Sequence, residues 1–274
     1  MTGVALIAGR GALPRLIADE LRASSTPYCV AVFEGTEADW ASDHPHIRAP
    51  FEKLGRVVEA FRNAGCTQLC MAGGMERPRL NPLKFDATFA RFAPRVLPKL
   101  GKGDDAALRA VVAFFEAEGF EVVPPEQFLD GLVLRAGAVT RTRPNEAALQ
   151  DIATAERILS TTAALDIGQG CVVCAGLCLG VETVQGTDFM LNALRGEHGR
   201  KGAAASGGVL VKLPKDGQER RVDLPAIGPD TVRNAAAAGL EGIAGRAGGL
   251  LLIDRASMLQ AADEAGLFIW GIEG

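Results

Sequence analysis

No run in this chain approaches the roughly 18 uninterrupted apolar residues of a membrane-crossing helix, so none is expected. The start lacks a basic segment followed by an apolar stretch and a cleavage site. VALIAG at 4–9 is too short for such a stretch and reads as a first strand. A cytosolic protein is the expectation. Positive charge is not in excess either. A formal net charge of -4 argues against a general nucleic-acid binder, which normally shows a strong basic patch. The C-x-x-C at 171–174 has no histidine pair and no second C-x-x-C at the spacing of a zinc site. On one strand, Cys171 and Cys174 would point to opposite faces. With Cys29, Cys66, Cys70 and Cys178 they are expected as buried, reduced, structural thiols. No internal repeat is present.

What is present suffices for a sizeable core. Of 274 residues, 48% are hydrophobic and 23% charged, which fits two modest domains or one large one. VALIAG leads through GRGALP at 9–14 into LPRLIADELRA, where Pro14 suits a first helical turn. YCVAVFEG at 28–35, a loop with Trp and His, the helix GRVVEAFRNAG at 55–65 and the strand CTQLCMAGG at 66–74 follow. A helix at 104–119 and a strand at 120–123 close the first half. This β-α-β-α-β rhythm predicts a parallel sheet with covering helices, a Rossmann-like domain over 1–132. The polar stretch RAGAVTRTRPNEA reads as a linker over 133–147. A mixed α+β domain is expected over 148–274, the whole chain being α/β. It opens with a helix at 148–162 and a hairpin turning near Ala175 and Gly176. Thr187 or Asp188 then caps a short helix, VLVKL and RRVDL form strands, and a helix capped by Asp230 follows. GLLLIDR reads as a final strand and SMLQAADEAG as a final helix.

Charged residues concentrate between 166 and 228. Glu182, Asp188, Asp216, Glu219 and Asp223 stand among Lys212, Lys215, Arg220 and Arg221. Carboxylates that hold a cation, near cations that hold phosphates, suggest phosphate-ester or phosphoanhydride chemistry. Each position also has a plainer explanation. Lys212 lies opposite Val209, Val211 and Leu213 on a strand, as a solvated lysine would. Thr187-Asp188 after Gly186 is an N-cap signature, with Glu182 and Gln185 on the same approach. Arg221 and Asp223 share a face of RRVDL at i, i+2 spacing, as an ion pair would, but Asp223 lies at a strand end beside a loop. Gly9-Arg10-Gly11-Ala12-Leu13-Pro14 begins like a dinucleotide fingerprint, with proline where the third glycine would fall. Its backbone amides can still hold a phosphate. Glu34 is either a ribose contact or a solvated carboxylate. In Gly101-Lys102-Gly103-Asp104-Asp105, Asp104 reads as an N-cap and Asp105 as a partner of the helix dipole, with a polar contact to a nucleotide or to a metal-bound water as the alternative.

GRGALP, MAGG with RP at 77–78, LGKGDDAALR, DIGQG, E-x-x-x-GTD and VKLPKDGQERRVDLPAIGP occur in this order. The ordered set, nearly the full chain, resembles the LpxI-type UDP-2,3-diacylglucosamine pyrophosphohydrolases of Gram-negative bacteria. The resemblance implies a two-domain, magnesium-dependent hydrolase of lipid A biosynthesis that yields UMP and 2,3-diacylglucosamine 1-phosphate (lipid X). Mn²⁺ is the alternative metal. It carries the catalytic aspartate onto Asp223, and the GTD and K-x-x-K-x-x-Q elements onto Thr187, Asp188, Lys212, Lys215 and Gln218. Glu219 departs from the family's usual aspartate, and the Ala- and Gly-rich loop at 202–208 looks longer than expected. Together with the residues, this predicts Asp223, Lys212 and Arg221 as catalytic and Asp223 and Asp188 as metal ligands. Gly11, Ala12, Leu13, Gln169, Thr187, Asp188, Lys215 and Gln218 are the substrate-binding candidates. The partner is an amphiphilic nucleotide-sugar lipid, which makes peripheral contact with the inner membrane plausible, although no basic amphipathic helix marks it. Small-residue helices such as NAAAAGLEGIAG at 234–245 are candidates to wall an acyl chamber. The rivals are a Rossmann-type oxidoreductase, opposed by Pro14, and a non-catalytic nucleotide- or lipid-binding regulator.

Overall fold

The structure, a computed structural model, describes residues 2–75, 79–100, 104–165, 167–195, 202, 206–215 and 217–273. Arg77 and Pro78, residues 101–103, Asp166, Asp216 and residues 203–205 of the 202–208 stretch lie outside these, as does the Asp104 side chain. The chain divides into two compact units. Unit 1 holds 1–130 together with Glu219–Asp223; unit 2 holds Gly131–Gln218 and Leu224–Gly274.

Unit 1 runs β1 (Gly3–Ala8), α1 (Leu13–Ala23), β2 (Tyr28–Phe33), β3 (His46–Ala49), α2 (Leu54–Asn63), β4 (Cys66–Ala72), α3 (Ala87–Leu100), α4 (Asp104–Ala117) and β5 (Glu121–Val122). The sheet order is β3-β2-β1-β4-β5, with every pair parallel. Every residue of β1 and β2 is buried. That is why their sequences are apolar throughout rather than alternating, as parallel strands covered on both faces require. In α2 the buried Leu54, Val57, Val58 and Phe61 recur at helical spacing, and Phe61 meets Phe115 and Phe120 in the core. Sequence reasoning assigned no element to β3 or α3. The latter carries Pro94 and Pro98 inside the helix, residues that normally signal a break. Asp86 supports its start, accepting from Phe89 N at 2.8 Å and from Gly55 N at 2.7 Å.

At the carboxyl ends of β1 and β4, where the strand order reverses, the two turns are laced together. Arg10 N donates to Gly74 O at 2.7 Å, and Gly74 N donates back to Arg10 O at 3.1 Å. A Cβ on Gly73 would run into Arg10 O and stand 2.9 Å from Pro14 Cγ. The proline that interrupts the dinucleotide fingerprint therefore occupies space that a glycine opposite leaves open.

Unit 2 runs β6 (Gly137–Ala138), α5 (Glu146–Ala163), β7 (Gly170–Cys174), β8 (Leu177–Val181), α6 (Thr187–Ala193), β9 (Val209–Lys212), β10 (Ala226–Ile227), α7 (Pro229–Ala237), β11 (Gly242–Arg246), β12 (Leu251–Leu252), α8 (Arg255–Ala265) and β13 (Phe268–Ile272). Its main sheet is mixed, in the order β6-β13-β11-β9-β7-β8; β10 and β12 form a separate pair. The helices cover both faces. Ile152 and Leu159 of α5 pack with Cys171, Val173, Val209 and Val211. Leu191 of α6, Val232 of α7 and Met258 of α8 pack with Val172, Leu210, Ile243 and Ile269. The β7–β8 hairpin turns at Ala175 and Gly176 as expected. Ala175 sits at φ 50, and the Asp151 carboxylate accepts from both turn amides, at 3.0 and 2.7 Å.

Several expectations are corrected. The segment 133–147 is not a free linker. Leu134 N donates to Leu250 O at 2.9 Å, and β6 pairs with β13, so this polar stretch supplies an edge strand of unit 2. RRVDL is a turn rather than a strand, with Val222 N and Asp223 N both donating to Glu219 O at 3.1 Å. The same-face relation of Arg221 and Asp223 therefore falls. Residues 242–245, the end of the stretch taken as a small-residue helix, belong to β11. Gly242 lets the Phe268 ring lie against it, which explains the small residues without a helix. The last strand is β13, after α8. Helices α6 and α7 are preceded by Gly186 and Gly228, not by the side chains of Thr187, Asp188 or Asp230. Of the six free cysteines Cys178 is exposed, and burial pushes the Cys29 and Cys66 thiols up to about 11, well away from reactivity. Among the described residues no helix is long and apolar enough to cross a membrane.

His44 is buried against α1 in unit 1, with Nδ1 2.7 Å from Tyr28 Oη and Nε2 3.6 Å from Asp19 Oδ1. Burial, aided by Arg22, lowers its pKa despite the opposing pull of Asp19. A histidine with a folded value below its unfolded one takes up its proton more readily when the chain unfolds. Its contribution is complete above about pH 6.5, the ordinary histidine value, and is lost as pH falls through the lowered one. Urea midpoints measured from about pH 8 to 5 should show a decline in the wild type that is shallower in His44→Gln; parallel curves would remove His44 as its source.

Candidate functional site

The candidate residues sort into three local arrangements, each within one unit. The first is in unit 2. Gly170 of β7 lies opposite Lys212 of β9, and Leu213 N donates to Gln169 O at 2.9 Å. Lys212 shares a strand face with Leu210, so it points to the side covered by α6. It is 6% exposed, the reverse of the solvated lysine that spacing suggests. Its Nζ donates to Thr187 Oγ1 at 2.6 Å and lies 3.5 Å from Glu182 Oε2. Thr187 Oγ1 donates in turn to Glu182 Oε1 at 2.9 Å. Beside this group the Gln218 side-chain oxygen accepts from Gln169 Nε2 at 2.8 Å and from Lys215 N at 2.9 Å. The structure thus brings Gln169, Thr187, Lys212, Lys215 and Gln218 into one neighbourhood. It adds Glu182, which sequence reasoning noted as an acid without giving it a role. Asp188 is exposed, and its Oδ1 accepts from Asn234 Nδ2 at 2.7 Å, which ties α6 to α7.

The second arrangement is the 219–223 turn, and it belongs to unit 1. Val222 packs into that unit's core. Asp105 Oδ1 accepts from Glu219 N at 3.1 Å while its Oδ2 accepts from Arg109 Nε at 2.7 Å. Asp105 therefore anchors a backbone 114 positions away, a contact that its place in the first turn of α4 does not reveal. The Arg221 guanidinium is forked onto Glu219 at 2.9 and 2.7 Å and onto Glu116 at 2.9 Å. The stretch 166–228, read as one centre, is thus divided between units, with Asp223 and Arg221 in unit 1 and Lys212, Thr187 and Asp188 in unit 2.

The third arrangement is the start of α1. Arg10, Gly11 and Ala12 are exposed, no side chain caps the helix, and Gly11 has φ +96 with open space about it. Leu13 is buried, so only its backbone can face a ligand. Glu34 is exposed beyond β2.

Among the described residues no three histidine, cysteine or acidic side chains gather as a metal-binding group. Glu182 is unsuited to a cation, because its free oxygen already faces an ammonium. A magnesium ion carried largely by phosphate oxygens and water needs only one or two carboxylates. Taken singly, the exposed Asp188 of unit 2 or the half-buried Asp223 of unit 1 fits that modest requirement.

Two family models match the chain in order: the LpxI N-terminal domain over residues 3–132 and the LpxI C-terminal domain over 135–270. The chain belongs to the LpxI family. A relative from Caulobacter vibrioides, named UDP-2,3-diacylglucosamine pyrophosphatase LpxI, is 38% identical over 280 residues, spanning 100% of this chain and 98% of that protein. The join between the two LpxI domain matches lies within five residues of the 130/131 change of unit. Neither LpxI match separates out the return of 219–223 to unit 1.

The Arg221 guanidinium holds the Glu219 carboxyl below the usual carboxylate range, against the upward push of burial. A depressed folded value stabilises above the ordinary glutamate value of about 4.3, and that contribution disappears as pH falls through the depressed one. Arg221→Met should therefore lower the thermal midpoint at neutral pH and have a shrinking effect toward pH 3 or so. An equal loss at both ends of that range would contradict the pairing.

Proposed function

We propose that this chain hydrolyses the pyrophosphate bridge of UDP-2,3-diacylglucosamine, giving UMP and 2,3-diacylglucosamine 1-phosphate in lipid A biosynthesis. The observation that carries this reading is membership of the LpxI family along the whole chain, with a pyrophosphatase relative aligned across it. The reaction adds one water, breaks one bridging P–O bond and forms one P–O bond. Such chemistry depends mainly on positioning and on neutralising charge at the phosphoryl oxygens.

Lys212, buried and charged, neutralises phosphoryl oxygens, with Lys215 in support. Asp223 orients the attacking water or holds the metal. Arg221 has its fork filled by Glu219, and so acts by fixing the turn that carries Asp223. Mg²⁺, or Mn²⁺ in its place, would be held by Asp223 or Asp188 and by substrate oxygens, and would supply further neutralisation of the pyrophosphate. The amides of Gly11, Ala12 and Leu13 at the open start of α1 take a phosphate or ribose of the nucleotide. Gln169 and Gln218 line the approach to Lys212. The two acyl chains make peripheral membrane contact the natural setting for such a substrate.

A cleavage assay with UDP-2,3-diacylglucosamine should yield UMP and the sugar 1-phosphate with Mg²⁺ present and neither with EDTA. Unchanged turnover in EDTA would remove the metal, and absence of both products would remove the activity. Asp223→Ala should keep its circular dichroism while turnover drops by about 10²–10⁴-fold, the range for loss of a positioned base. Turnover near wild type would take Asp223 out of the chemistry.

A further inference from the structure

Residues 167–170 are shaped around a glutamate. A Cβ on Gly170 would stand 2.6 Å from Glu182 Oε2, and one on Gly168 would run into the Glu182 backbone. Neither glycine adopts left-handed backbone, so close approach is what requires glycine here. Glu182 N donates to Gly170 O at 2.7 Å, which fixes the main chain beneath the side chain. Oε1 then accepts from Thr187, while Oε2 is buried with no hydrogen-bond partner, 3.5 Å from the Lys212 ammonium. The ion pair and the missing hydrogen bond are compatible: the ammonium turns its N–H to Thr187 and meets Oε2 through charge alone.

The direction of each bond follows from the groups. An ammonium only donates and an ionised carboxylate only accepts. Thr187 lies between the two, so its oxygen accepts from Lys212 at 2.6 Å and its one hydrogen goes to Glu182. A phosphate oxygen is also an acceptor. Thr187 therefore has no hydrogen to offer one, and the donor left in this group is Lys212 itself, with two further N–H bonds.

We propose that Glu182 is a positioning residue for the hydrolysis. By taking the Thr187 hydrogen it makes Thr187 an acceptor, and that acceptor aims the Lys212 ammonium at a phosphoryl oxygen. Thr187 acts on the substrate through Lys212 rather than by touching a phosphate. This rests on the reading of Lys212 as a group that neutralises phosphoryl charge.

The test is a set of steady-state measurements on Glu182→Gln, Thr187→Val, Thr187→Ser, Lys212→Met and Glu182→Gln combined with Lys212→Met, with folding checked by circular dichroism. Glu182→Gln keeps the shape of the side chain, and Thr187→Val keeps the volume and leaves the carboxylate in place, so each controls for misfolding of the other. Each should lower kcat about tenfold with KM within about threefold, and Thr187→Ser should restore kcat. In the Lys212→Met background, Glu182→Gln should cost less than about a further twofold, because residues acting as a unit are not additive. Wild-type kcat in both Glu182→Gln and Thr187→Val, or a full tenfold loss that persists without Lys212, would overturn the positioning role. Wild-type kcat in Lys212→Met would instead overturn the role of the lysine, and this inference with it.

Discussion

A lysine with 6% exposure in the middle strands of a sheet needs something close at hand to compensate its burial. In unit 2 that something is Glu182, and much of the local sequence follows from accommodating it. Two glycines in DIGQG make room for the carboxylate. A β7–β8 hairpin carries it back beside β9. Helix α6 begins with a threonine whose hydroxyl joins the two charges. Removing one partner of a buried charged pair costs far more than the pair contributes, because the other charge is left without compensation. The three side chains are therefore constrained together although they come from separate parts of the chain.

Unit 1 is legible in the sequence because its strands announce themselves. Continuous apolar runs separated by amphipathic helices mark a covered parallel sheet, and the order β3-β2-β1-β4-β5 follows the expected Rossmann-like pattern. The parts that escaped detection each break a local rule. Helix α3 contains two prolines, and β3 is half exposed at a sheet edge. In unit 2, β11 is built from Gly, Ile, Ala, Gly and Arg. Propensity disfavours that composition in a strand, but packing against Phe268 and Leu250 requires it. Residues 221–224 alternate polar and apolar as a strand would, but the bonds to Glu219 O and the anchors Asp105 and Glu116 fix 219–223 as a turn.

The candidate site was legible in its residue types and much less so in its partnerships. The spacing of Lys212 on β9 places it on a defined face, yet the same spacing suits a solvated lysine. What distinguishes the two is the helix α6 lying over that face, which no local pattern encodes. Arg221 and Asp223 were paired on the assumption of a strand. In the turn, the guanidinium takes Glu219 instead, two residues away in the other direction. Glu182 was visible as an acid, but its importance comes from glycines twelve and fourteen positions earlier, and such close approaches leave no periodic signature.

The excursion of Glu219–Asp223 into unit 1 bears on how this architecture can be inherited. A gene encoding only the first 130 residues would produce a unit lacking the five-residue piece that Asp105 and Glu116 hold. A gene encoding the remainder would produce that piece with nowhere to seat it. Exchange of either half between lineages must preserve a match between α4 and a turn more than a hundred positions downstream. The two halves are therefore bound to diverge as one inheritable unit, even though each has its own core.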